Sequence, residues 1–264
     1  MIENKKEFKL ISKKNPKSLL PNALTIFGVC LGLSSIKFAL DANYTMAIIA
    51  IGFAAILDTL DGRVARLIKG TSKVGKELDS LTDVISFGVA PGFIMYFWAL
   101  NEIGKFGWMF VLIYTVCCAL RLARFNLMVI EENETWKINF FEGVPSPAAA
   151  GLVLLPLILN LSDLAQFENY TVLSSIAILT TSILMVSKIP TYSLKRILIP
   201  RHLAIFLLLG IGIYVSLLIF YTFETLFFTG LIYIVLIPLS YFHYRHKNKT
   251  SLIVTSEEEI EDVL

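Results

Sequence analysis

The sequence predicts an all-α fold, a polytopic membrane helix bundle of about eight spanning helices with an N-terminal interfacial segment. Two features carry that reading. The chain of 264 residues is 56% hydrophobic and 17% charged, with a mean hydropathy of +0.71, against about 45–50% apolar and about 25% charged in an ordinary soluble domain. The excess is gathered in nearly uncharged runs, among them Ala47–Leu57, Phe106–Leu120, Val172–Val186, Leu203–Tyr221 and Leu226–Phe242. A backbone in lipid must satisfy its own hydrogen bonds, so such runs are expected to be helices, and the period-2 alternation of a membrane barrel is absent.

Spans are expected near 23–40, 43–60, 80–100, 106–127, 147–161, 172–188, 203–221 and 225–243. Basic residues mark one side. They are Lys5, Lys6, Lys9, Lys13, Lys14 and Lys17 before the first span, then Arg63, Arg66, Lys69, Lys73 and Lys76 after the second. Arg121 and Arg124 close the fourth span and Lys137 follows it, Lys188 closes the sixth with Lys195, Arg196 and Arg201 after it, and Arg245, Lys247 and Lys249 follow the last. The opposite loops hold Lys105 and little else, and Lys37 can snorkel to the far interface. This positive-inside pattern puts both termini in the cytoplasm and requires an even number of crossings.

Four stretches follow. Residues 1–18 read as a basic cytoplasmic or interfacial segment able to lie on anionic headgroups, without the apolar core and cleavage site of a removed signal. Residues 19–200 form the main membrane domain, 201–246 additional C-terminal spans, and 247–264 an acidic, solvated, partly disordered tail. Cys30, Cys117 and Cys118 lie in apolar runs without zinc or disulfide spacing and read as small buried hydrophobes. Nothing in the charge distribution points to a nucleic-acid partner.

The chemistry concentrates where the second span ends and the third begins. Asp58 and Asp61 are three residues apart, Asp79 and Asp83 four, so on helices each pair shares a face. The short basic loop between the two helices predicts antiparallel neighbours whose four carboxylates converge at the cytoplasmic membrane edge. Like charges about 5 Å apart repel by roughly 3 kcal/mol at an effective dielectric near 20, so either some carboxyls are protonated or cations sit among them. Oxygen-only ligands suit Mg²⁺ or Mn²⁺, and two such ions can clamp a pyrophosphate. Gly62 and Gly75 allow close approach to the backbone. Ala65 is small for the same purpose, Arg66 can hold a phosphate, and Lys73 and Arg63 add positive potential.

The pattern Asp58-x-x-Asp61-Gly62-x-x-Ala65-Arg66, followed by Gly75-x-x-x-Asp79-x-x-x-Asp83, resembles the complete signature of the CDP-alcohol phosphotransferases. The resemblance implies two metal ions held through Asp58, Asp61 and Asp79 with Asp83 close by. It implies Asp83 as the general base, and Gly62, Ala65, Arg66 and Gly75 as contacts to the CDP moiety. Pro21-Asn22-Ala23-Leu24-Thr25 is similar to the family's nucleotide-side entry, which adds Asn22 and Thr25 to the CDP contacts. The segments from Ser86 to Pro91, Arg121 to Asn126 and Phe141 to Pro147 resemble the branch that takes serine. The implied partners are then CDP-diacylglycerol, L-serine, the lipid bilayer of the inner (cell) membrane and, by family habit, a second copy in a homodimer. The likeness covers roughly residues 18–200; the last two spans carry no usable motif.

A physical argument runs beside it. A serine carboxylate wants an arginine fork, and Arg121 and Arg124 stand where one is needed, although two cations can equally anchor a span end. Ser86 can donate to substrate or pack in its own helix, and Asn126 can bind a ligand or cap a helix. An acceptor carrying phosphate, such as glycerol 3-phosphate or an inositol phosphate, would want a denser basic pocket. A divalent-cation transporter would use the same aspartates, but its site is expected near mid-membrane on broken helices. A soluble diphosphate enzyme with Asp-x-x-Asp motifs, as in prenyl transferases, conflicts with the hydropathy.

Overall fold

The computed structural model describes residues 19–68, 73–127, 140–162, 164–165, 169–192 and 203–261. The basic segment 1–18 lies outside the described residues. So do Lys69, Lys137, Lys195, Arg196, Arg201 and His202, and the side chains of Lys73, His246 and Lys249.

Helices account for nearly all described elements. They are α1 (Leu19–Leu40), α2 (Tyr44–Leu67), α3 (Lys73–Asp83), α4 (Ala90–Trp98), α5 (Lys105–Leu127), α6 (Ser146–Val153), α7 (Leu155–Leu161), α8 (Tyr170–Val186), α9 (Ala204–Phe220) and α10 (Thr222–Glu261). Five stretches are long and apolar enough to cross a bilayer: Leu20–Leu40, Tyr44–Leu67, Val74–Trp98, Lys105–Leu127 and Thr222–Arg245. Helices α8 and α9 are apolar but have 17 residues each, about 25 Å of rise. The run expected at 147–161 is two short helices meeting at Leu154, where Pro156 interrupts the ladder. The eight apolar segments are thus all helical, with five meeting the length of a span. The last helix continues to Glu261.

Local chemistry explains the joints. Between α1 and α2 the chain turns on Ala42 at positive φ, and the Asn43 side chain caps α2 by accepting from the Met46 amide at 3.2 Å. Lys37, in the last turn of α1, pairs with Asp41 in an exposed contact.

The third span is not a uniform α-helix. After Asp83 the residues Val84–Val89 form a π-helical turn before α4. Pro91 has no N–H to offer the Phe87 carbonyl four residues earlier, and its ring crowds that carbonyl. The wider turn relieves the crowding, and the buried Tyr114 hydroxyl of α5 donates to the Phe87 oxygen at 2.7 Å. Such turns recur at functional sites.

In lipid, close backbone approach holds helices together. At Gly32 of α1 an added Cβ would lie 2.5 Å from Ser86 Oγ and 2.9 Å from Ser86 Cα, so α1 crosses the π-turn almost backbone to backbone. The spacing Gly28-x-x-x-Gly32 suits such a crossing. Helix α1 packs along α2 on one side and along α3, the π-turn and α4 on the other. The expectation that α2 and α3 pack as neighbours is therefore corrected. Helix α3 rests on α1, and α2 meets the third span mainly at the π-turn and α4. The core gathers Ala47, Ile51, Phe87, Ile94, Tyr114 and Ile178 from α2, the third span, α5 and α8.

One small sheet was not foreseen. β1 (Phe140–Glu142) pairs antiparallel with β2 (Pro190–Tyr192), Phe141 opposite Thr191. Gly143 follows β1 at φ 73°, and a Cβ there would lie 2.6 Å from the Met185 oxygen, so this turn requires glycine. The Thr191 hydroxyl donates to the Gly143 carbonyl at 2.8 Å. These contacts fix the entry of α6 and with it Ser146. The cysteines are all free: Cys118 is buried, Cys117 half-buried, and Cys30, expected inside, is exposed on α1.

Candidate active site

Asp58 and Asp61 lie roughly two turns before the end of α2, and Asp79 and Asp83 on the last turn of α3. Ligand oxygens of Asp58, Asp61 and Asp79 all fall within 4.8 Å of one another. Asp61 is buried at 3% exposure, and the other two are half-buried. Helices α2 and α3 thus meet through these acidic side chains more than through backbone packing.

Helix α1 supplies the group that aims Asp61. The Thr25 hydroxyl donates to Asp61 Oδ2 at 2.5 Å and lies 3.0 Å from the Pro21 carbonyl. Thr25, expected on the nucleotide side, is thus bonded to a member of the carboxylate cluster. Asn22 sits half-buried one turn earlier.

Asp83 stands one turn beyond Asp79 and outside the group of three, close enough to interact directly with Asp58. Its Oδ2 accepts from Ser146 Oγ at 3.2 Å, and Ser146 in turn accepts from Arg121 Nη1 at 3.0 Å. The row Arg121–Ser146–Asp83 joins α5, α6 and α3. Asp83 Oδ1 and Arg121 Nε are both buried without a hydrogen-bond partner. The Arg121 guanidinium also lies 5.6 Å from the Phe125 ring centroid, a cation–π arrangement. The segment Phe141–Pro147 carries Ser146 without marking it for a role; its reach to Asp83 depends on the β1–β2 turn, which no local pattern announces.

Gly62 and Ala65 are half-buried, and Arg66 is exposed. Arg66 folds back along Gly62, where an added Cβ would lie 3.9 Å from Nη1. Arg66 also exerts an attractive charge interaction on Asp79. Gly75 is half-buried near the start of α3. The remaining acceptor candidates are engaged elsewhere. Ser86 is buried and donates to the Gly28 carbonyl at 3.3 Å. Arg124 donates to the Val186 carbonyl at 2.8 Å, and Asn126 to Ser80 Oγ at 2.8 Å.

Three carboxylates this close repel one another unless a cation or protons intervene. Their oxygen-only donor set and spacing fit a divalent cation, which needs ligands about 2.0–2.6 Å from its centre. The unpartnered Asp83 oxygen beside them leaves a proton acceptor next to such a centre.

A helical membrane protein with a carboxylate site near the ends of two helices is the class that fold and site define. A family model described as CDP-alcohol phosphatidyltransferase matches residues 18–186, and another described as CDP-alcohol phosphatidyltransferase 2 matches residues 202–238. The chain belongs to the CDP-alcohol phosphatidyltransferase family. It is similar to proteins named CDP-diacylglycerol–serine O-phosphatidyltransferase. The Mycobacterium leprae protein is 36% identical over 228 residues, covering 86% of this chain and 76% of the relative. The Helicobacter pylori (strain 26695) protein is 40% identical over 183 residues, covering 69% and 76%. The Bacillus subtilis protein is 35% identical over 177 residues, covering 67% and 92%. The match at 202–238 reaches the late helices, where residue patterns alone gave no signal.

Proposed function

We propose that this chain transfers a phosphatidyl group from CDP-diacylglycerol to L-serine, yielding phosphatidylserine and CMP, at the cytoplasmic face of the cell membrane. The observation that carries the reading is the convergence of Asp58, Asp61 and Asp79 beside the Arg121–Ser146–Asp83 row. The names of the relatives support the choice of both substrates.

Asp58, Asp61 and Asp79 would hold the cations, Mg²⁺ or Mn²⁺, as a pair in this reading. When bound, such ions neutralise charge on the pyrophosphate as the leaving group departs. Arg66, exposed at the end of α2, is available for a phosphate oxygen of the CDP part, beside the open backbone at Gly62. The lipid tails stay in the bilayer while the headgroup reaches the carboxylate cluster. Asp83 takes the proton of the serine hydroxyl; the hydroxyl oxygen forms the new bond to the lipid-side phosphorus, and the bond from that phosphorus to CMP breaks. Ser146 fixes the Asp83 carboxyl through Oδ2, which leaves Oδ1 for the incoming hydroxyl. A hydroxyl is a weak nucleophile at neutral pH, so this placement matters more than tight binding. Among the described residues Arg121 is the one buried cation, enough for one carboxylate and sparse for a phosphate-bearing acceptor. A homodimer is the expected assembly.

The test uses the purified full chain in nanodiscs containing CDP-diacylglycerol, with radiolabelled serine or glycerol 3-phosphate. CMP release is expected with serine and Mn²⁺ or Mg²⁺, and none with EDTA. Release with glycerol 3-phosphate and none with serine would refute the choice of acceptor.

A further inference from the structure

The late helices are the least packed part of the molecule. Helix α9 has no buried residue, and the buried side chains described on α10 are Ile237 and Ser240. Helix α10 nevertheless docks on α7 and β2, with Gly230 against the Leu155 side chain. One turn further on, Tyr233 packs its ring on the core. Its hydroxyl is buried and makes no hydrogen bond. The Thr191 hydroxyl lies beside it; it donates to the Gly143 carbonyl and keeps its acceptor lone pairs facing the Tyr233 side. Tyr233 lies within electrostatic range of the Arg121 guanidinium.

Three buried polar atoms without partners therefore belong to groups that interact electrostatically through Arg121: Tyr233 Oη, Arg121 Nε and Asp83 Oδ1. Buried polar groups nearly always find partners, so such a set marks a place a ligand completes. Two of the atoms, on α5 and α10, offer protons, and one, on α3, accepts. Arg121 is 8% exposed, and its Nη1 is taken by Ser146, which leaves the Nε edge for an anion. An α-amino acid bearing a side-chain hydroxyl has the complementary pattern: a carboxylate that accepts at one end and a hydroxyl that donates at the other, two carbons away.

We infer that Tyr233 is a specificity residue for the acceptor, its hydroxyl and Arg121 Nε–H together binding the acceptor's carboxylate while the acceptor's hydroxyl faces Asp83 Oδ1. The inference rests on the serine reading above and assigns the last spanning helix a contact with substrate. Tyr233→Phe keeps the ring and removes the hydroxyl. It should raise the KM for serine about 10-fold, the size expected for one hydrogen bond to a charged group. Turnover and the KM for CDP-diacylglycerol should stay within about twofold. Ser240→Ala removes another unpaired buried hydroxyl from the same helix and should leave the serine KM unchanged. In the wild-type protein 2-aminoethanol, which is serine without its carboxylate, should be a far poorer acceptor, and Tyr233→Phe should not affect its use.

An unchanged serine KM in a Tyr233→Phe protein that keeps its KM for CDP-diacylglycerol overturns the inference. An equal rise in Ser240→Ala does so too, since it would trace the effect to helix packing. Equal KM values for serine and 2-aminoethanol in the wild type overturn it without any variant. If the wild type releases CMP with another alcohol and none with serine, the serine reading itself fails, and the inference falls with it.

Discussion

The stretch from α1 to α8 and the pair α9–α10 are built on different terms. In the first, glycines bring backbones into contact at Gly32 and Gly143, and buried hydroxyls bridge elements, as Thr25 does to Asp61 and Tyr114 to Phe87. In the second, α9 buries nothing, and a Cβ added at Gly210 or Gly212 would meet nothing within 4 Å. Apolar side chains gain little by leaving lipid for a helix interface, so tight packing in a membrane has to come from small residues and polar bridges. The first region spends those devices around the carboxylates; the second touches the rest through one face of α10.

The sharpest way to break the contrast is at the acid itself. Asp83→Asn keeps the shape and the Ser146 contact but loses the basic oxygen. Turnover in nanodiscs should fall by about 10²–10⁴ while the protein still inserts and purifies as a helical membrane protein. Full activity in that variant would remove Asp83 from proton transfer.

Next in size is the brace from α1. Thr25→Val keeps volume but removes the side-chain donor to buried Asp61, leaving it the Gly62 amide. The Mn²⁺ concentration for half-maximal activity should rise roughly 10- to 100-fold, as for a lost hydrogen bond to a charged group. An unchanged metal requirement would mean that Asp61 is held by its helix alone.

A smaller effect is expected at the turn that delivers Ser146. Gly143→Ala puts a methyl group against the Met185 and Ser187 carbonyls at positive φ. It should cost about 1–3 kcal/mol, read as a drop of several degrees in the detergent melting temperature, with serine turnover reduced alongside. Unaltered stability would show that the turn adapts without moving α6.

What was legible beforehand divides along chemical lines. Asp58, Asp61, Asp79 and Asp83 announce themselves because charge at the edge of a bilayer is costly and helical spacing fixes their faces. The apolar runs announce the helices for a similar reason. Ser146 and Tyr233 are ordinary residues whose meaning depends on which group they meet, Asp83 in one case and the neighbourhood of Arg121 in the other, and one chain read alone does not carry that. The π-turn lay between: Pro91 signalled a missing donor at Phe87, but the donor replacing it sits on α5. Arg124 and Asn126 show the reverse problem. Their types suit an acceptor site, yet tertiary packing engages them at Val186 and Ser80.

The smallest expected effect tests the poorly packed side directly. Gly212 lies midway along α9, and a side chain added there enters open space. Gly212→Leu should leave stability within about 0.5 kcal/mol, the usual range for a substitution that touches nothing, and CMP release should not change. The informative readout is the mass of the protein in detergent by light scattering. A helix whose residues all face outward is covered either by lipid or by a second copy of the chain, and only the second is sensitive to one bulky residue. An unchanged mass fits a lipid-facing α9 and sends any dimer contact to another face. A fall to half the mass, with activity retained, would make α9 the subunit interface, and its exposure would then belong to the separated chain alone.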